Sequence, residues 1–190
     1  MKTLVYLSVV VSLTLALFPA LASAHTADDL FITDLIAGQS MDAGDVLVWN
    51  DAVNLYVQFV STGDWCITET HVAVAALVSE IPQTKKGNPI PGKFDYSKQY
   101  SPCEQAPDPY VIPLEWDYGE TVYIAAHAKL RTHTINFHHT RGDGTCGDRI
   151  RLEKPCGQRE SAWGAGFDFP GKNWAMYFTY TVQGHPTFSH

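Results

Sequence analysis

The run from Trp65 to Val78, WCITETHVAVAALV, constrains the fold more than any other part of the chain. Its β-branched residues and Thr-rich lead-in predict a strand, against the helix that its Ala and Leu residues would favour. Side chains on a strand alternate between faces. Ile67, Glu69, His71, Ala73 and Ala75 are therefore expected on one face, and Thr68, Thr70, Val72, Val74 and Ala76 on the other. Beyond Thr70 the run is too apolar for a half-solvated edge, which predicts a place in mid-sheet. A second run, Thr121–Leu130 (TVYIAAHAKL), repeats the pattern. Val122, Ile124, Ala126 and Ala128 share one face, and Thr121, Tyr123, Ala125 and His127 the other.

If these two strands are neighbours, Glu69, His71 and His127 converge. A carboxylate beside an imidazole orients the ring and favours its charged form. Two histidines and a carboxylate also make a candidate site for zinc or another divalent metal. No H-x-H or H-E-x-x-H spacing accompanies them. The structural alternative is a satisfied Glu–His cluster inside the core.

The remaining chain reads as further short strands. Leu30–Ala37 is a first strand, and Asp45–Trp49 pairs with Leu55–Val60 as a hairpin of period two. Tyr110–Leu114, the alternating Arg131–His139 and Asn173–Val182 follow, and ESAWGAG at 160–166 is a compact motif of small residues around Trp163 whose glycines allow a backbone bend or the close approach of a neighbour. From Ser79 to Pro109 the periodicity breaks under repeated prolines. This segment is expected to be an ordered arm packed on the sheet. Its interleaved Phe94, Tyr96 and Tyr100 either pin the arm down or present a stacking surface to a ligand. The fold class is accordingly all-β, an antiparallel β-sandwich of about nine strands with long disulfide-pinned loops.

Residues 1–24 have the form of a secretory signal peptide: Lys2, an apolar stretch from Leu4 to Leu21, and Ala22-Ser23-Ala24 as a cleavage site. Residues 25–190 are then a single secreted domain with no membrane span after cleavage. Cleavage would expose His25, whose amino group and ring can chelate copper if His138 or His139 completes a brace. Export makes disulfides the default for Cys66, Cys103, Cys146 and Cys156. Of the three connectivities, Cys66–Cys103 and Cys146–Cys156 are favoured, the first tying the long arm to the central strand. Zinc is the rival, but no C-x-x-C spacing occurs. GDGTCGD offers Asp143 and Asp148 to calcium without the other ligands of an EF-type loop. The formal charge of −7 argues against nucleic acid and against anionic membrane as partners.

Five pieces, WCITETHVAV, KKGNPIPGKFDYS, VYIAAHA, ESAWGAG and NWAMYFTY, together resemble a β-sandwich domain family of exported and cell-surface proteins in bacteria and archaea. The resemblance covers most of residues 25–190, and the motifs are specific in combination. It implies no reaction. It does imply that Glu69, His71, His127, Glu160 and Trp163 form one motif cluster. The 131–159 segment departs from the family's shorter connection, so no role for His133, His138 or His139 follows from it.

No nucleophile–base pair and no acid pair stands in a recognisable context. The expectation is a secreted non-catalytic module that binds an extracellular polysaccharide or a surface protein, or serves as an extracellular structural component. The alternative is a metal-dependent secreted enzyme using Glu69, His71 and His127, or copper at His25.

Overall fold

The computed structural model describes residues 30–132 and 158–184. Ten strands dominate it: β1 Phe31–Ala37, β2 Met41–Asn50, β3 Asn54–Ser61, β4 Trp65–Ala75, β5 Tyr96–Glu104, β6 Tyr110–Pro113, β7 Thr121–Thr132, β8 Arg159–Gly164, β9 Phe167–Asp168 and β10 Met176–Thr181. All pairings are antiparallel, in the order β5-β4-β7-β8-β1-β2-β3-β6. One edge of β7 is shared, its first half pairing with β10 and its second with β8. The fold is all-β, as the alternation predicted. The sandwich is one sheet rolled nearly closed, because its two end strands meet. Tyr110 of β6 packs edge-on against Tyr96 of β5, and the Ser61 N–H donates to Gln105 O at 2.7 Å.

Inside the roll lies one apolar core, with Val46, Val57, Phe59, Val72, Ile124 and Phe178 among its buried members. The hairpin β2–β3 keeps the predicted register, with Val48 opposite Val57 and Val46 opposite Phe59. Gly44 can only be glycine there. Its φ is +136°, and a Cβ would collide with the Val60 carbonyl.

The face assignment of β7 holds along its length, but that of β4 breaks. Pairing slips between Ile67 and Glu69, which face the consecutive Leu130 and Lys129 of β7, so Thr68 is an inserted residue on β4. Its hydroxyl donates to Lys129 O at 2.9 Å. Before the bulge, odd positions face the core, so Ile67 is fully buried there. After it the parity inverts, and Val72 faces the core while Glu69 and His71 face outward. Ile67 therefore does not share a face with Glu69.

One further expectation is corrected. The segment expected to be unpatterned up to Pro109 contains β5, which tolerates Pro102 because it is an edge strand. The ESAWG segment is strand β8, held between β7 and β1, and its Gly164 allows the close approach of a neighbour, since a Cβ there would meet the Phe178 ring. The Cys66–Cys103 disulfide is present and ties β5 to β4. Residues 1–29, including the leader and His25, lie outside the described residues, as do residues 133–157 with His133, His138, His139, Asp143, Asp148, Cys146 and Cys156.

A buried hydroxyl network closes the seam between β4 and β6. Thr70 Oγ1 lies 2.7 Å from Tyr110 Oη and 3.1 Å from Tyr100 Oη, and Tyr110 also donates to Thr70 O. Burial raises the pKa of both phenols. Tyr110→Phe should lower unfolding free energy by about 1–2 kcal/mol, the worth of one buried hydrogen bond whose partner is left behind. Urea denaturation measures it, and an unchanged midpoint would show that the network carries no stability.

Candidate functional site

The neighbouring register of β4 and β7 places His71 opposite His127 and Glu69 opposite Lys129. The strand after β7 in the sheet, β8, sets Trp163 opposite His127. The sheet's outer face thus carries Glu69, His71, His127, Lys129 and Trp163 across three strands. His71 Nε2 is 2.6 Å from Glu69 Oε1, and Lys129 Nζ is 2.8 Å from Glu69 Oε2. The His71 and His127 rings lie 5.5 Å apart, and His127 and Trp163 4.7 Å apart.

This face is covered, which an outer face need not be. The connection after β4 and the loop after β9 lie across it and form a second apolar cluster of Ala73, Ala125, Ile81, Phe94, Phe169 and Trp163. The alanines leave room for the arm to approach the sheet. Phe94 meets Trp163 edge-on at 6.4 Å, and Phe169 touches the indole from another side. His71, His127 and Trp163 are each under one-tenth exposed in consequence.

Electrostatics follow from that cover. Burial, reinforced by His71 and Lys129 and opposed by Glu69, pushes the His127 pKa down to about 3, so its ring is neutral. Lys129, with help from His71, outweighs desolvation and holds the Glu69 carboxyl below the ordinary range. The Nδ1 atoms of His71 and His127 are buried without a hydrogen-bond partner among the described residues.

Glu69, His71, His127 and Trp163 come together as the motif pieces implied. Glu160 does not join them. It lies three residues from Trp163 on one strand and so points to the other side. There it accepts from Gln158 Nε2 at 3.1 Å and approaches Gly38. Glu69, His71 and His127 are also the candidate metal ligands. Among the described residues no group of three His, Cys, Asp or Glu side chains that could hold a metal ion is found. His71 and Lys129 each take one oxygen of Glu69.

Of the aromatics of the long arm, Phe94 is buried against Trp163, while the half-buried Tyr96 and Tyr100 pack against the inner core. Sequence reasoning missed Lys129, although its position two residues beyond His127 places it on the same face. It also missed Phe169, whose contact depends on a loop path that no periodicity encodes. No family model, curated protein or solved structure matches the chain.

Proposed function

We propose that the chain is an exported, non-catalytic module of an extracellular surface, and that Glu69, His71, His127 and Trp163 lock its arm onto its sheet. The observation that carries this reading is how fully the cluster is engaged. Both carboxylate oxygens are paired, one imidazole is neutral, and the rings lie beneath Phe94 and Phe169. Such a group has no open face on which a substrate could react. Export is supported by the disulfide and the leader-like first 24 residues. Among the described residues no helix is long and apolar enough to cross a membrane, which is compatible with it. The motif resemblance to exported surface domains belongs to the same proposal.

Metal analysis of residues 25–190, equilibrated with zinc and copper and then dialysed, tests the reading beside a His71→Ala variant. The wild type should retain background metal. The variant should lose about 1–3 kcal/mol of stability, because Glu69 forfeits a charged hydrogen bond and a cavity opens. Stoichiometric metal that disappears in His71→Ala would overturn the structural role.

A further inference from the structure

We infer that a groove over β7 and β8 binds the acidic groups of a polysaccharide; this rests on the exported-module reading and names the ligand class for it. The groove is about 700 Å³, and its lining includes Lys129 and Arg131 of β7, Arg159 and Glu160 of β8, Thr68 of the bulge and Trp174.

Its charge arrangement needs an explanation. Register puts Arg131 directly opposite Arg159. Directly opposed strand residues sit about 5 Å apart at Cβ, where like charges destabilise a sheet. Neither guanidinium forms an ion pair with a carboxylate among the described residues. Lys129 is already committed to Glu69, and Glu160, the sole acid among the lining residues, accepts from Gln158. Among the described residues, two forked cations thus line one groove without a counter-charge, in a chain whose formal charge is −7.

The pair is also partly fixed. Arg131 Nε donates to Cys103 Sγ at 3.1 Å, so one guanidinium is held against the disulfide on the β4 side of β7. The remaining N–H groups of each guanidinium match a carboxylate or sulfate, which a fork of this kind can hold by paired charge-assisted bonds. Trp174 is half-buried in the same groove, and its indole offers an apolar face to the C–H side of a sugar ring. A small inorganic anion would need the arginines alone. The volume of the groove and its indole favour a saccharide chain carrying uronate or sulfate groups.

Affinity electrophoresis of residues 25–190 through gels containing polygalacturonate, dextran sulfate, plain dextran or single-stranded DNA tests this. Retention by polygalacturonate or dextran sulfate is expected, weakened about tenfold or more in Arg159→Gln, but unchanged in the exposed, charge-matched Lys85→Gln control. Trp174→Ala should weaken binding to either acidic glycan. The order of the two acidic polymers distinguishes carboxylate from sulfate recognition. Retention by neither, equal losses in both charge variants, or equal retention by DNA would overturn the inference. Retention by dextran alone would overturn it while leaving the exported-module reading intact, since that is judged by metal content.

Discussion

Removing the Cys66–Cys103 bridge is expected to lower unfolding free energy by about 4 kcal/mol, the loop-closure entropy of a loop of this length. The bond spans 37 residues of sequence, including the whole arm that covers the outer face. Without it, the unfolded chain regains the freedom of that loop. The folded chain also keeps an edge strand held mainly by its backbone pairing to β4. Cys66 is fully buried and Cys103 nearly so, which makes small residues the appropriate replacements. The double variant Cys66→Ala/Cys103→Ala avoids leaving a lone thiol to exchange with Cys146 or Cys156. Guanidinium denaturation of residues 25–190 gives the difference from the midpoint shift at constant slope. A loss below about 1 kcal/mol would mean that the arm and β5 are already ordered in the unfolded ensemble.

Much of this architecture was legible because burial leaves a period of two wherever a strand is regular. The β2–β3 hairpin and the whole of β7 keep that period, so their faces could be read directly. β4 hides its bulge because Ile67 and Thr68 both suit a strand, and nothing in their identity marks the inserted residue. β5 was illegible for a different reason. An edge strand whose Ser97, Lys98 and Gln99 are all exposed needs no apolar alternation, and it is fixed by the disulfide, Tyr96 and Tyr100 instead. β8 carries little strand signal because its inward residue is Ala162 and its outward bulk is a single Trp163. The cluster around His127 was half legible. Spacing supplied the residues on one face, but the cover that neutralises the ring comes from loops distant in sequence. The same strand logic, applied to Glu160 and Trp163, would have separated them, since three positions along a strand reverse the face.

Acidifying the protein from pH 7 to pH 4 is expected to cost about 3 kcal/mol through His127 alone. Burial, with His71 and Lys129 adding to it, puts the folded pKa of this ring at about 3, against an ordinary value of 6.5. Between those values the unfolded chain binds a proton that the folded chain refuses. Stability therefore falls as pH drops below about 6.5, and the loss levels off only below about 3. Glu69 acts in the same direction but in a lower window. Its depressed carboxyl contributes stability above the ordinary value of 4.5, and that contribution is lost as pH falls through its lower folded value. Loss between pH 6.5 and 4.5 thus belongs to the imidazole and not to that carboxylate. His127→Leu separates the two. At pH 7 it should be close to neutral, because it removes a buried nitrogen without a hydrogen-bond partner and fills a similar volume. At pH 4 it should be more stable than the wild type by most of the 3 kcal/mol. Parallel stability curves for the two proteins across this range would show that the ring titrates as freely in the fold as outside it, and the closed cover over the outer face would then have to be abandoned.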